Sequence, residues 1–310
     1  MLVSVVIPVF DEEKNVEELH KVLSGVLKKN KLKYEILFID DGSRDKTYSV
    51  LKKLRKKDKC VKLIKFRANF GKAYALQVGF KRVKGEYVFT MDGDLQDDPK
   101  EIPNFLKKMK EGYDLVSGWK FRRHDPMGKT LPSKLFNWLT SYMTGVNIHD
   151  SNCGFKCYRQ EVVKNIEIYG ELHRNIPALA KWKGYKIGEI KVQHHPRKHG
   201  VSKYGIERLL KGFLDLMTVK YLMTYNNRPL HFFGVIGLVA ASVGTILGFY
   251  LYWLWSFGEP MSHHMPMMLL SVLLIVLGVQ VTSIGLIGEM IVSGREKQDL
   301  KVLIKEEILT

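Results

Sequence analysis

Residues 87–94 read YVFTMDGD, a run of strand-forming residues that ends in an aspartate, a glycine and a second aspartate. Residues 34–41, YEILFIDD, repeat this arrangement. Aliphatic and aromatic runs of this length, bounded by polar residues, are typical of buried β-strands. The two stretches therefore predict a sheet in which acidic side chains follow the strands directly.

Strand-like and helix-like segments alternate outward from these two stretches. The predicted strands are Leu2–Val9, Tyr34–Ile39, Val61–Phe66, Tyr87–Met91 and Asp114–Ser117. The predicted helices contain Leu19, Leu51, Leu76 and residues 100–110. Repeated βαβ order implies an α/β fold with a largely parallel sheet covered by helices. Ligands of such sheets bind beyond the carboxyl ends of the strands, where the clusters Asp40–Asp41, Asp92–Asp94 and Lys120–Arg123 are predicted to meet.

The C-terminal part of the chain has a different composition. Residues 231–293 contain no Lys or Arg, although the whole chain contains 49 of them. Two apolar runs, Phe232–Phe257 and Met265–Gly288, each exceed the roughly 20 residues that cross a hydrocarbon core. Bases flank the outer ends of both runs but are absent from the link, so the positive-inside rule predicts that both ends lie in the cytoplasm. A helical hairpin buried in a soluble protein is the alternative.

These patterns predict a soluble cytoplasmic body over residues 1–200, a juxtamembrane region over 201–230, two membrane spans within 231–293 and a cytoplasmic tail over 294–310. In the juxtamembrane region, Tyr204–Met223 has helical periodicity. It fits an amphipathic helix in the membrane interface and equally a surface helix packed on the body. The N-terminus has no basic residues ahead of its apolar run and is interpreted as a strand, not a signal peptide.

Composition excludes several classes of protein. With 45% hydrophobic and 26% charged residues, the chain is neither disordered nor collagen-like. Its three cysteines are too few for a disulfide framework, and Cys153 and Cys157 lack the second pair of a zinc site. His194, His195 and His199 have no Cys or acid near them in sequence, so zinc is not expected there either.

The net charge of +17 raises the question of the binding partner. Nucleic acid is one explanation for such an excess, but many of the bases, such as Lys52, Lys53, Lys56 and Lys57, lie on predicted helix surfaces. A protein beside anionic lipid headgroups gains from positive charge. The expected partner is therefore a lipid bilayer, and no nucleic acid is expected.

The pair Asp92-x-Asp94 has the chemistry of a metal site. Two carboxylates can hold one hard cation, Mg²⁺ or Mn²⁺, and leave coordination positions open for phosphate oxygens. A D-x-D sequence alone is common in loops, and its place directly after a strand is what favours a site. The sequence has neither G-x-x-x-x-G-K-[ST] nor G-x-G-x-x-G after its first strand, which argues against P-loop and Rossmann dinucleotide sites.

Five segments, taken in order, resemble the family 2 glycosyltransferases, which have the GT-A (nucleotide-diphospho-sugar transferase) fold. They are VSVVIPVFDEEKNV at 3–16, IDDGS at 39–43, MDGDLQDDP at 91–99, DSNCGFKCY at 150–158 and HHPRKHGVSKYG at 194–205. Together with two C-terminal spans, they resemble the polyprenyl-phosphate hexosyltransferases, which include dolichyl-phosphate mannose and glucose synthases and bactoprenol glucosyltransferases.

The resemblance implies a role for each matching residue. The nucleotide would contact Pro8, Phe10, Glu12, Asp40 and Asp41. The nucleotide-sugar would contact Asp92 and Gly93, and the metal would be bound by Asp94 and Gln96, with Asp92 beside them. The phosphates would be held by Lys120, Arg122, Arg123, Arg197, Ser202 and Lys203. Asp150 would orient or deprotonate the acceptor, unless it only caps a turn. Lys120 stands where relatives often have Arg, and lysine lacks the bidentate fork of arginine.

The function implied by the resemblance is inverting transfer of a hexose from UDP-glucose or GDP-mannose to polyprenyl phosphate, with catalytic roles for Asp94, Asp150, Arg197 and Lys203. A processive polysaccharide synthase is one alternative, although the Q-x-x-R-W motif is absent. A membrane nucleotide-sugar-binding protein without catalysis is another. The sequence leaves open whether the chain forms a homo-oligomer.

Overall fold

The structure of the protein is a computed structural model. It describes residues 1–121, 141, 143–146, 148–170, 172–196, 217–221, 223–225 and 228–294. The chain divides into two compact units, Met1–Lys220 and Tyr221–Thr310. Five predicted site residues lie outside the described residues: Arg122, Arg123, Arg197, Ser202 and Lys203. Most of the helix predicted over 204–223 also lies outside them.

The first unit alternates strands and helices. Its strands are β1 (Leu2–Val9), β2 (Lys33–Asp40), β3 (Val61–Lys65), β4 (Tyr87–Thr90), β5 (Leu115–Lys120), β6 (Lys156–Arg159) and β7 (Ile187–Val192). Its helices are α1 (Val16–Lys29), α2 (Thr47–Lys57), α3 (Lys72–Arg82), α4 (Ile102–Met109), α5 (Gln160–Asn165) and α6 (Ile176–Trp182). Short 3₁₀ turns cover Pro99–Glu101 and Leu172–Asn175.

The described strands form one seven-stranded sheet in the order β3-β2-β1-β4-β6-β5-β7. Every pair is parallel except those made by β6, which runs antiparallel to both β4 and β5. The predicted mostly parallel α/β fold is confirmed, whereas β6 was not predicted. Because β6 alone is reversed, β1, β2, β4 and β5 all end at one edge of the sheet, called here the carboxyl edge.

The apolar runs form these strands because helices cover the sheet on both faces. In β1, Val3, Val5 and Ile7 join the main core together with Leu19 and Leu23 of α1. On the other face of the sheet, α3 packs so closely that a methyl group at Gly79 would lie 2.5 Å from a Val6 methyl carbon. The lysines of α2 remain exposed, as predicted.

The second unit is a helical hairpin. Helix α7 (Pro229–Ser256) and helix α8 (Met265–Ser293) are joined through a 3₁₀ turn at Met261–His264. They coincide with the two predicted apolar runs, and each is long and apolar enough to cross a membrane. Glycines bring the two helices together, since a Cβ atom at Gly278 would lie 2.5 Å from the Gly237 carbonyl oxygen.

Candidate active site

The loops after β1 and β2 are joined by hydrogen bonds. The Asp11 amide donates to Ser43 Oγ at 3.0 Å, and the Arg44 amide donates to Asp11 Oδ1 at 2.8 Å. The Glu12 amide donates to Thr47 Oγ1 at 2.8 Å. These bonds bring the stretch that contains Pro8, Phe10 and Glu12 against the Asp40–Asp41 loop. The residues that the resemblance assigns to the nucleotide therefore occupy one part of the carboxyl edge.

Asp40 and Asp41 have different partners. Asp40 is buried, and its Oδ1 accepts the Ser43 amide at 2.8 Å, which closes a local turn. Asp41 reaches the loop after β3, where its two oxygens accept the amides of Phe70 at 2.8 Å and Gly71 at 2.9 Å. The pKa of Asp41 is raised above its ordinary value, mainly by burial and also by the Asp40 charge. The two hydrogen bonds act in the opposite direction. The Asp41 carboxylate thus positions the start of α3.

Lys72, the first residue of α3, forms an ion pair with Asp92. A cation at a helix N-terminus opposes the helix dipole, so the Asp92 carboxylate compensates for an unfavourable position. Burial would raise the pKa of Asp92, but the charges of Lys72 and Lys120 lower it to about 2. Asp92 is therefore ionised at neutral pH. Lys72 links the two aspartate motifs, and it was not among the predicted site residues.

The Asp92-Gly93-Asp94 turn is packed tightly from two sides. A Cβ atom at Gly93 would lie 2.9 Å from a Val9 methyl carbon at the end of β1. On the other side, a Cβ atom at Gly154 would lie 2.7 Å from Asp92 Oδ2, so only glycine lets the backbone approach this carboxylate. The motif at 150–158 and the D-x-D motif are therefore neighbours.

The D-x-D-x-Q loop also meets the segment after β7. Asp94 is buried, and its Oδ1 accepts the Gln96 amide at 3.2 Å. The Gln96 carbonyl oxygen accepts the His195 amide at 2.9 Å, and His195 Nε2 lies 3.2 Å from Asp98 Oδ2. The chain thus reaches residue 196 beside the acidic loop, directly before the predicted phosphate-binding residues.

The donor atoms of the acidic loop suit a hard cation. The Asp94 carboxylate and the Gln96 amide supply oxygen ligands, which Mg²⁺ and Mn²⁺ prefer. Asp92 is paired with Lys72, and Asp94 and Gln96 are the residues that the resemblance assigns to the metal. Within the described part of the chain, no three His, Cys, Asp or Glu side chains are grouped as metal ligands. Two oxygen ligands from the protein leave coordination positions of such an ion open for phosphate oxygens.

Lys120 ends β5 at the carboxyl edge, close to these acids. Its Nζ lies 3.4 Å from Asp97 Oδ1, while Asp97 Oδ2 accepts the Asp92 amide at 3.3 Å. Burial acts to lower the pKa of Lys120, but the nearby carboxylates, Asp97 foremost, raise it above its ordinary value. Lys120 therefore remains a cation near Asp92, which is compatible with the phosphate contact predicted for it.

Asp150 lies in a loop that two charged residues anchor. The amides of His149 and Asp150 donate to Glu189 Oε1 of β7 at 2.9 and 3.1 Å. Beyond Asp150, the buried Lys156 ammonium donates to the carbonyl oxygens of Ser151, at 3.2 Å, and Cys153. Asp150 itself is buried. The loop is thus fixed against β6 and β7, and the choice between an acid-base and an orienting role for Asp150 stays a prediction.

Two family models match the chain. The model described as "Glycosyl transferase family 2" matches residues 4–167, and the one described as "GtrB C-terminal hairpin" matches residues 228–293. The first covers the strands and loops of the carboxyl edge up to α5, and the second coincides with the apolar hairpin.

Curated relatives match almost the whole chain. A dodecaprenyl-phosphate galacturonate synthase of Rhizobium johnstonii is 36% identical over 294 residues, which cover 93% of this chain and 87% of the relative. An undecaprenyl-phosphate 4-deoxy-4-formamido-L-arabinose transferase of Shewanella sediminis is 35% identical over 301 residues, which cover 96% of this chain and 89% of the relative.

Solved structures share the fold of the first unit. Glucosyl-3-phosphoglycerate synthase from Mycobacterium tuberculosis, crystallised with Mn²⁺, UDP-glucose and phosphoglyceric acid, superposes with a TM-score of 0.56 at 16% identity. The match covers 71% of this chain and 79% of that chain. At this level of identity the likeness concerns the fold alone.

Proposed function

The chain belongs to glycosyl transferase family 2, and from this premise we propose that it transfers a sugar from a nucleoside-diphosphate donor to a polyprenyl phosphate. The observation that carries the proposal is the carboxyl edge itself. Asp94 and Gln96 supply ligands for a cation, while Lys72 and Lys120 place positive charge beside the same loop. Such a combination suits a diphosphate that leaves and a phosphate that attacks.

The proposed reaction is a direct displacement at the anomeric carbon. A phosphate oxygen of the acceptor forms the new bond to C1, and the bond from C1 to the donor diphosphate breaks with its electron pair moving to the diphosphate. Asp94 and Gln96 would hold the Mg²⁺ or Mn²⁺ ion, whose charge offsets that of the leaving group. Lys120 would draw the two anions together. The configuration at C1 inverts, and no covalent enzyme intermediate is needed.

The acceptor phosphate needs little activation. Phosphomonoesters have a second pKa of about 6, so the acceptor is mostly dianionic at neutral pH. Asp150, which Glu189 and Lys156 hold in place, would orient the acceptor more than it would remove a proton. Arg122, Arg123, Arg197, Ser202 and Lys203 are proposed to complete the phosphate contacts.

The donor sugar is proposed as a class. The sequence resemblance favours glucose or mannose, whereas the names of the curated relatives specify galacturonate and 4-deoxy-4-formamido-L-arabinose. We therefore propose a nucleotide-linked pyranose and include all four in the test. The relatives' names also support polyprenyl phosphate as the acceptor, and the Mn²⁺ of the fold neighbour supports a divalent cofactor.

The hairpin is proposed to span the membrane twice and to keep the first unit on the cytoplasmic side. Its support is the length and apolar composition of α7 and α8 and the match to the hairpin family model. Anchoring in the membrane would keep the chain with the lipid that carries the acceptor phosphate.

The test uses membranes that contain the full chain, a polyprenyl phosphate and radiolabelled UDP-glucose, GDP-mannose, UDP-galacturonate or UDP-4-deoxy-4-formamido-L-arabinose. We expect one label to become extractable into organic solvent, in a reaction that a chelator stops. Label in an ethanol-insoluble polymer would indicate a processive synthase. Donor binding with no transfer of any label would indicate a binding protein and contradict the proposal.

A further inference from the structure

His173 lies in the 3₁₀ turn Leu172–Asn175, outside every motif that the sequence analysis singled out. Its neighbours Leu172 and Ile176 are buried in the core, so the turn cannot move freely. Just upstream, the Ile168 amide donates to Gln77 Oε1 of α3 at 2.7 Å. The segment that holds His173 is therefore attached to the helix that begins at Lys72.

The turn that holds His173 packs against α3, whose first residue, Lys72, forms the ion pair with Asp92. The charges of Lys72, Asp92 and Lys156 act on the His173 imidazole. Burial lowers the pKa of His173 well below its ordinary value, and the Lys72 and Arg174 charges lower it further. The ring is therefore neutral at physiological pH.

One nitrogen of the ring has no protein partner in the described part of the chain. His173 Nδ1 is buried from solvent, and none of the described residues forms a hydrogen bond with it. Burying such an atom without a partner is unfavourable, and a ligand that supplies the partner removes this cost. The unpaired Nδ1 atom, whose ring feels the Asp92 charge, thus points to a hydrogen-bonding group of the donor.

The chemistry of a neutral imidazole selects that group. One ring nitrogen donates a hydrogen bond and the other accepts one. A sugar hydroxyl can complement either nitrogen, because it both donates and accepts. A phosphate cannot donate when fully ionised, and it is better matched by the neighbouring cations Lys72 and Lys120.

We propose that His173 is a specificity-determining residue that forms a hydrogen bond with a hydroxyl of the donor pyranose beside Asp92. This inference rests on the proposed function. It assigns His173 to recognition of the donor's sugar, and not of the donor's nucleotide or diphosphate. A site that hydrogen-bonds a substrate hydroxyl discriminates strongly against analogues that place the hydroxyl elsewhere.

The test measures binding to the full chain in detergent with Mn²⁺. Calorimetry gives Kd for UDP, UDP-glucose, UDP-galactose, UDP-galacturonate, UDP-4-deoxy-4-formamido-L-arabinose, GDP and GDP-mannose. The ratio of Kd for the nucleoside diphosphate to Kd for its sugar conjugate defines the sugar increment. For the conjugate with the largest increment, we expect His173→Ala to lower the increment about tenfold and to leave Kd of the bare nucleotide unchanged.

Two further variants keep the test decisive if His173→Ala folds poorly. An asparagine amide can occupy the position of Nδ1, whereas a glutamine amide reaches the position of Nε2, so His173→Asn should retain most of the increment and His173→Gln should not. The matched control is His20→Ala on α1, whose Nε2 lies 2.9 Å from Asp58 Oδ2. It should leave every increment unchanged.

Three results would overturn the inference: a wild type without any sugar increment, a His173→Ala variant with wild-type increments, or equal weakening of nucleotide and conjugate. Failure of the proposed function is separate. In that case the increment depends on His173, but the wild type transfers no sugar to polyprenyl phosphate.

Discussion

Large apolar side chains are buried in the first unit of the chain and exposed in the hairpin. In the first unit, Phe89 and Phe105 are fully buried, and lysines cover the helices. In the hairpin, Leu238 and Phe249 are exposed, while Gly278 lies at the helix contact. In water, the hydrophobic effect buries apolar side chains. In lipid this driving force is absent between helices, and close backbone packing stabilises their association instead. The surrounding solvent, more than residue type, decides which side is the interior.

Charge separates the two units as clearly. In the first unit, acids and bases converge on the carboxyl edge, where Asp92 and Asp94 lie among Lys72 and Lys120. In the hairpin, Glu289 forms a hydrogen bond with the backbone: its Oε2 accepts the Leu230 amide at 3.2 Å near the start of α7. Charges in the first unit are thus expected to govern chemistry, and those in the hairpin only folding.

The largest expected effect is that of Asp94→Asn. Removing one carboxylate from a cation site with few protein ligands should lower transfer by about 100-fold or more, measured as organic-extractable label. The matched control is Asp114→Asn at the opposite edge of the sheet, where Asp114 Oδ2 accepts the Lys186 amide at 2.8 Å. If both variants lost activity equally, charge at the carboxyl edge would have no special role.

The packing contrast is tested by one substitution at two places. At Gly278, Ala would force a Cβ atom to within 2.5 Å of the Gly237 carbonyl oxygen, and we expect a loss of about 1–3 kcal/mol. At Gly25 of α1, nothing lies within 4 Å of the new atom. There Ala should stabilise the helix by about 0.5–1 kcal/mol. Unfolding of the full chain in mixed micelles measures both, and effects of the same sign would contradict the contrast.

Lys72→Met tests the ion pair between Lys72 and Asp92 through the pH dependence of the free energy of unfolding. The folded pKa of Asp92, about 2, lies below its unfolded value. The pair therefore stabilises the fold above about pH 4, and this contribution disappears as the pH falls toward 2. Both side chains are about one-third exposed, so solvent screening limits the expected loss to about 1 kcal/mol at pH 7.

Urea unfolding of Lys72→Met at several pH values measures this difference. Lys53→Met, at an exposed position of α2, is the control and should match the wild type throughout. A loss in Lys72→Met that stays constant down to pH 3 would show that the pair with Asp92 is not its source.

The smallest expected effect is that of Glu289→Gln in the hairpin. The glutamine still accepts the Leu230 amide, so only the charge of the acceptor is lost, and we expect a change of about 0.5 kcal/mol. The midpoint of SDS-induced unfolding measures it. Glu259→Gln, in the link between the helices, should have no effect. A loss of transfer in Glu289→Gln with unchanged stability would contradict the purely structural role of hairpin charges.

Much of the first unit could be predicted because its signals are local. The strands Leu2–Val9 and Tyr34–Ile39 and the helices after them follow from apolar runs and helical spacing, and the structure places them within one residue at each strand end. The acidic clusters were expected at one edge because parallel strands share their carboxyl ends. The match between expectation and structure is closest where neighbours in sequence decide the outcome.

Other features depend on contacts between distant residues. Strand β6 has four residues, Lys156–Arg159, and no periodicity long enough to reveal it. Lys72 and Lys156 look like ordinary members of a set of 49 bases, and only the fold shows that one pairs with Asp92 and that the other is buried. A lysine directly after a glycine at a helix start was the available signal for Lys72, since it opposes the dipole.

The reversed direction of β6 has a consequence for how such proteins diversify. Strand β5 ends at Lys120 and β6 begins at Lys156, and both points lie on the carboxyl edge, with Lys156 in register with Thr90. The chain between them therefore departs from and returns to the sheet at the carboxyl edge. Insertions in this connection would leave the register of every described strand unchanged. We therefore expect relatives to differ in the length of this connection while Asp92 and Asp94 keep their places.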